Sequence, residues 1–514
     1  MSALAKVSSV RSESQAEKDQ VHTISHDGVE DPDAEFGGTE ERKKLEKKLL
    51  RKIDLRMSIM VIIYILNYID RNNASAARLK GFEEDLKLEG QQFATILSIL
   101  YVGYILMQIP SNMLLNKIGK PSLYLPCCMA IWGMSSPRPS LHVVIDISFI
   151  CPGMISALTG ICNTFVQALL TRFFLGFVEA AFYPGALFLL SKWYKKEEIG
   201  RRTAILTCGN LISNAFGNLL ASGILSGMEG KLGHRAWRWL FYIEGAVTVF
   251  FAVVAVVVLP DFPDTTRSLS PLERKLAIRR MAEDAGVGDQ GETEYGMLQG
   301  LYLAITDWKM WALALGLTSQ VIALSFNQYF PTLTQTLGYS QTVTLLLCAP
   351  PWILVAFTAF FYAKHSDRTQ ERAYHIIFAF LVGILGFIIA IATQETAARY
   401  VALFLMAQGY CGFIVLYAWI PSIFPRPPTK RAISIAFINA FSQLGNVSGS
   451  YVWDKSWGPT YVNSYAICIA TSGLACVICL GFRWHLSKLN KKFEEEERGT
   501  EKGAMEIQGF RYVL

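Results

Sequence analysis

The chain has 514 residues and a formal net charge of +6; 52% of its residues are hydrophobic and 18% are charged, against about 25% charged in a soluble protein. Mean hydropathy is +0.30. That composition excludes an ordinary soluble globular protein. The modest positive charge needs no nucleic-acid partner, because basic residues flank membrane spans on their cytoplasmic side.

Residues 1–50 are polar and charged and carry no cleavable signal, so they read as a disordered cytoplasmic tail and the first span must act as the membrane signal. Beyond them lie apolar stretches of about 20 residues, enough to cross roughly 30 Å of hydrocarbon. The predicted spans are 55–75, 92–114, 121–134 continuing at 154–162, 164–190, 203–226, 237–260, 309–331, 341–363, 373–393, 400–423, 430–453 and 461–484. Twelve spans divide into a six-helix half (51–260), a charged cytoplasmic connection (261–305), a second six-helix half (306–486) and a cytoplasmic tail (487–514). The expected fold is all-α, twelve transmembrane helices in two pseudo-symmetric bundles. Basic residues sit in ERKKLEKKLLRK before the first span and KWYKKEEIGRR after the fourth, whereas the loop after the seventh span has none. This bias puts both termini in the cytoplasm.

The third span is anomalous. Fourteen apolar residues, PSLYLPCCMAIWGM, are too few to cross a bilayer; joined directly to Ile155–Cys162 they reach 22, which suffices. Gly133-Met134 recurs as Gly153-Met154, bracketing a unit of 20 residues. The expectation is that residues 134–153 translate a retained short intron; the rival is a genuine insertion with 142–149 as an extra half-span. Sequencing the transcript decides it.

Most cysteines lie in apolar stretches, and the CxxC of Cys476 and Cys479, inside LACVICLGF, reads as helix packing. His22 and His26 make no metal case, and no cofactor is expected. With neither HExxH nor GxSxG present, an enzyme is not expected. SPLERKLAIRRM in the central connection has a Ser-Pro start, an early Glu and the spacing of a short amphipathic surface helix.

The two halves also share a loop pattern. NMLLNKIGKPSLYL (112–125) and FYAKHSDRTQERAYHI (361–376) end equivalent spans, and Asn116-Lys117 aligns with Asp367-Arg368 at an offset of 251 residues. With Gly119, these resemble the G-x-x-x-D-R-x-G-R-R gating loops of the major facilitator superfamily, whose two halves rock about a central site. Both copies are degenerate: Asn116 replaces the usual acid, and the second lacks the internal glycine. NYIDRNNASAA (67–77), RFFLGFVEAAFYPGALFLLSKWYKKEEIGRR (172–202), WRWLFYIEGA (237–246), LPDFP (259–263), NQYFPTLTQTLGYS (327–340) and NAFSQLGNVSGSYVW (439–453) narrow it. Together they resemble the anion:cation symporter branch, in particular the fungal allantoate-permease-like group, which takes up nicotinate, allantoate, pantothenate and related carboxylates.

Within RFFLGFVEAAFYPG, Arg172 and Glu179 stand seven residues apart, within about 20° of one helix face and roughly 10 Å apart along it. A charge at the bilayer centre costs at least about 2.5 kcal/mol, so such residues face a protein interior or a wet cavity. Arg offers a fixed fork for a carboxylate, and a buried Glu can load and release a proton. The resemblance implies anion binding at Arg172 and proton coupling at Glu179. The structural alternative is an ion pair elsewhere for each, with Asp70 or Glu244 as partners. Asp70 and Glu244 are further proton candidates. Tyr68, Tyr183, Gln320, Asn327, Gln328, Asn439, Gln443 and Asn446 are expected to contact substrate, the last three sharing a helical face. Intramembrane amides otherwise join helices.

The expected function is proton-coupled uptake of a small organic anion across the fungal plasma membrane by alternating access, through a monomer in the lipid bilayer. The alternatives are an exporter of an anionic secondary metabolite and a non-transporting nutrient sensor.

Overall fold

Every long apolar stretch in the described part of the chain forms helix, and no strand occurs among the described residues. The computed structural model describes residues 33–118, 155–180, 182–260, 262–263, 266, 269–286, 297–424, 427–499 and 511–513. The 134–153 unit and Gly119 lie outside them, and of the third crossing the end, helical over 155–159, is described.

The first crossing is α1 (Thr39–Arg78), a 40-residue helix. At 1.5 Å per residue it is about 60 Å long, twice the hydrocarbon thickness. Residues 39–50, expected in the disordered tail, are therefore its first turns: Leu49 and Ile53 bury against other helices and hold that segment helical. Next come α2 (Gln92–Ile118), α3 (Phe165–Glu179) and α4 (Phe182–Trp193), the last two sharing the fourth crossing, then α5 (Lys196–Gly227) and α6 (Ala236–Val258). The connection contains α7 (Pro271–Gly286) and α8 (Met297–Ile305). The seventh crossing is α9 (Trp308–Ala323), a 3-10 stretch (Leu324–Tyr329) and α10 (Phe330–Gln335). It is followed by α11 (Gln341–Thr369) and α12 (Ala373–Ala392); α13 (Thr396–Ala407) and α14 (Gly409–Ile423) form the tenth crossing, and α15 (Pro428–Ser450) and α16 (Val462–Gly499) end the series. Among the described residues, seven helical segments are long and apolar enough to cross a membrane.

The halves repeat one packing plan. α1 lies against α5 and α6, as α9 lies against α15 and α16. They meet along α2–α15 and α5–α11, contacts that exchange when one half is laid on the other. Lipid tails are as apolar as leucine, so such contacts rest on close van der Waals approach of small residues. Gly103 and Gly176 make it for α2 and α3: a Cβ at Gly176 would stand 1.9 Å from the Leu100 carbonyl oxygen, and one at Gly103 2.3 Å from that of Phe173. The room that Gly176 leaves on the Arg172–Glu179 face is filled by a neighbouring helix.

On the side of the bundle that carries both ends of the helix series, called here the termini side, α7 docks on the first half. Arg42 bonds Asp33 and Glu283, Lys52 bonds Glu273 at 2.9 Å, and Arg280, 1% exposed, bridges Glu46 and Glu198. Leu269, Leu276 and Ala277 pack beneath with Leu49, Trp193 and Tyr194. The Ser270–Glu273 capping box starts the helix. Hydrogen bonds from Arg42 hold the Asp33 carboxyl below its usual range, and those to Glu283 and Asp33 push the Arg42 guanidinium above its own. Residues 487–499, expected in the second tail, continue α16. Cys476 and Cys479 lie in the apolar core of the second half.

Candidate functional site

Helix α1 supplies five polar or charged residues within the six positions Asp70 to Ser75, Ala74 being the exception, and successive side chains point about 100° apart. Asp70 and Arg71 therefore look in different directions. Asp70, 1% exposed, accepts hydrogen bonds from Ser156 Oγ (2.7 Å) and Thr248 Oγ1 (2.9 Å), which tie α1 to the third crossing and α6. Arg71 turns to α3. Its Nε and Nη2 reach Glu179 Oε2 at 2.9 and 2.7 Å. The rings of Tyr68, Tyr104 and Tyr101 surround the guanidinium at 4.8, 5.1 and 5.9 Å, a cation–π cage. Tyr183 stands one layer back, stacked on Tyr64.

Arg172 and Glu179 share a face of α3 but not a partner. Arg172 is 1% exposed; its Nη1 donates to the Asp70 and Arg71 carbonyl oxygens at 2.9 and 3.4 Å, and its Nη2 to Asn73 Oδ1 at 2.5 Å. Phe241 covers its plane at 5.3 Å. Arg172 thus grips α1 directly behind Arg71. Glu179 Oε1 and Glu244 Oε2 have no hydrogen-bond partner among the described residues, although both groups are buried. Five ionisable groups gather here, Asp70, Glu179 and Glu244 against Arg71 and Arg172. If all were ionised, one negative charge would be unmatched in a low-dielectric interior, and a single proton neutralises the set.

Two adjoining pockets open beside the cluster. Arg71, Arg172, Asn72, Ser75, Tyr101 and Gln328 border the first. Asn72, Asn73, Asn214, Asn218, Glu244 and Asn327 border the second. The second half therefore contributes Gln328 to one and Asn327 to the other, both from the 3-10 stretch of the seventh crossing. Ser75 Oγ donates to the Gln328 carbonyl, and Gln328 Oε1 accepts from Ser450 Oγ at 2.8 Å. On α15 the predicted shared face is a hydrogen-bonded string: Tyr417 OH to Asn439 (2.7 Å), Gln443 to Asn439 (3.5 Å) and Asn446 to Gln443 (2.8 Å). Gln320 is 1% exposed, and neither of its amide atoms has a partner among the described residues. Asp367 pairs with Arg372 at the end of α11 beside exposed Arg368. Asn116 and Lys117 fall in α2, with backbone alone described.

Arg71 as the partner of Glu179 escaped sequence reasoning, as did the Thr248 and Ser156 hydroxyls. Thr248 had a signal: it follows Glu244 by four residues, on the same helix face.

Among the described residues, polar contacts between the halves gather at the end away from the termini. Gln91 donates to Asp454 (2.8 Å), Lys455 to Glu83 (3.1 Å), Gln341 to the Leu79 carbonyl (2.6 Å) and Tyr451 to Thr95 (3.1 Å).

Residues 60–450 match a family described as Major Facilitator Superfamily. The chain is 31% identical over 461 residues to "MFS-type transporter cnsO" of Penicillium expansum, covering 87% of this chain and 84% of that protein. It is also 31% identical over 411 residues to "Putative tartrate transporter" of Agrobacterium vitis, covering 79% and 87%. Among solved structures it is similar to a partially occluded inward open xylose transporter XylE from E. coli, with TM-score 0.63, 13% identity and 85% and 98% of the two chains covered. A bacterial homologue of the human lysosomal transporter Spinster, inward-facing, gives TM-score 0.59 at 15% identity, covering 82% and 94%. At such identities the likeness shows the fold alone.

Proposed function

The chain belongs to the major facilitator superfamily, a membrane transporter and not an enzyme, and within it we propose that it moves a small organic anion together with protons by alternating access. The observation that carries this reading is Arg71: a guanidinium caged by three tyrosines, held by a single carboxylate oxygen and bordering the pocket between the halves. An arriving carboxylate can replace Glu179 on the same fork of donors. Arg172, gripping α1 behind it, adds positive potential and fixes the direction of Arg71. Glu179, released, takes up the proton that the crowded acids call for, with Asp70 and Glu244 as neighbours in the exchange. The amides of Asn327, Gln328, Asn439, Gln443 and Asn446 fit the neutral part of the anion. The similarity to a tartrate-named protein favours a carboxylate. Uptake across the plasma membrane, with both termini in the cytoplasm, completes the proposal.

The test is accumulation of radiolabelled tartrate, nicotinate and pantothenate in permease-deficient yeast, with and without a protonophore. Concentrative uptake of at least one, abolished by the protonophore and by Arg71→Ala at normal surface level, is expected. Full-rate transport by a surface-located Arg71→Ala chain would sink it.

A further inference from the structure

Within the stretch read from sequence as a cytoplasmic tail (487–514), residues 511–513 lie against the termini side of the second half. Asn490 on α16 treats Tyr512 as a neighbouring strand would. Its Oδ1 accepts from the Tyr512 backbone N–H at 2.8 Å, and its Nδ2 donates to the Tyr512 carbonyl at 2.9 Å. A side-chain amide carries one acceptor and a pair of donors, so it satisfies both backbone groups of one residue in extended chain. The Tyr512 ring stacks on Phe493 (6.1 Å) with Lys309 at 5.7 Å, and Arg511 reaches Glu494 at 3.7 Å. The next carbonyl, that of Val513, accepts from Trp419 Nε1 at 2.8 Å. Trp419 on α14 is fully buried, and a buried indole N–H without an acceptor is costly. The segment therefore fills a polar need that the helices leave open.

We propose that the groove formed by Trp419, Asn490, Phe493 and Lys309 is an intramolecular peptide-docking site whose occupant is segment 511–513, and that the docked segment is a releasable clip joining α9, α14 and α16. Release is within reach because the segment's contacts, among them three hydrogen bonds, the ring contacts with Phe493 and Lys309 and the partly exposed Arg511–Glu494 pair, are individually modest and are set against the ordering of a short extended segment. The clip acts on α14, which also carries Tyr417 and so meets the α15 string at Asn439. It is independent of what the protein carries.

The experiment uses the full chain in lipid nanodiscs with residues 511–513 replaced by Gly-Ser-Gly, and as probe a fluorescein-labelled peptide of residues 506–514. The replaced chain is expected to bind the peptide saturably, the unaltered chain at least about tenfold more weakly because its groove is filled. Adding Trp419→Phe to the replaced chain, which removes one hydrogen bond, weakens binding by roughly five- to tenfold, and adding Asn490→Ala, which removes two, weakens it at least as much. No binding by the replaced chain, or equal binding by the unaltered one, overturns the proposal. Hydrogen exchange on the unaltered chain covers the case in which the replaced chain does not fold. There the Tyr512 amide is expected to be protected, and exposed in Asn490→Ala; an unprotected Tyr512 in the unaltered chain overturns the proposal as well.

Discussion

The two halves share a packing plan but not a chemistry. In the first, α1, α3 and α6 bury Asp70, Arg71, Arg172, Glu179 and Glu244 in one cluster. In the second, the elements facing that cluster carry neutral amides: Gln320, Asn327, Gln328, Asn439, Gln443 and Asn446. The shared packing plan thus carries charge on one side of the central seam and neutral hydrogen-bonding groups on the other. In the proposed function, ion and proton handling falls to the first half and recognition of the uncharged part of the cargo to the second.

The most damaging way to break the comparison is to part α3 from α2. Gly176→Leu places side-chain atoms where the Leu100 carbonyl already stands, so no folded protein at the cell surface is expected; normal surface expression would refute the close approach. Next comes the ion pair. Arg71→Met strands the buried Glu179 and is expected to cost about 3–5 kcal/mol of stability, read as a lowered Tm in detergent. The double variant Arg71→Met with Glu179→Leu should recover most of that loss yet remain transport-dead, because the pair then packs but binds no anion. A double variant no more stable than the single one would show that the two residues do not answer each other. A smaller effect is expected across the seam: Gln443→Ala removes two hydrogen bonds of the α15 string, the 2.8 Å bond from Asn446 and the long 3.5 Å bond to Asn439, together about 1 kcal/mol. That predicts a roughly fivefold rise in KM at unchanged protonophore sensitivity; altered proton dependence would contradict the division of labour.

The smallest effect concerns the α7 platform. Pairing with Arg42 depresses the Asp33 carboxyl, so its contribution is complete above the unfolded-state value near pH 4 and vanishes as pH falls through the lower folded value. Limited proteolysis of the α7 segment should be unchanged between pH 5 and 8 and faster only below about pH 4, or at high salt, which screens the partly exposed Arg42–Glu283 and Lys52–Glu273 pairs.

Much of this was legible in the chain. Apolar runs of twenty residues fixed the helix order because hydrocarbon tolerates no unpaired backbone, and Arg172 and Glu179 announced themselves as charges where lipid should be. Their partners were hidden for a physical reason. Arg71 and Glu179 are 108 residues apart, and which helix face meets which is settled by packing rather than by local spacing. The extended reach of α1 was obscured by its charge, which reads as a solvated tail until α7 is seen to pair with it. The 3-10 stretch holding Asn327 and Gln328 was equally silent, since it contains neither proline nor glycine to mark a change of helix type.

At the end away from the termini the seam combines apolar packing, with the Phe93 ring of α2 meeting the Tyr329 ring edge-on, and a set of bonds from amides, hydroxyls and one lysine–glutamate pair. Each such bond can be handed to a water molecule at little net expense. A barrier built this way parts its polar links one at a time, while full opening also bares apolar surface and carries the heat-capacity change of that exposure. Its opening rate should therefore answer to temperature through the apolar part and to ionic strength on that face through the Lys455–Glu83 pair.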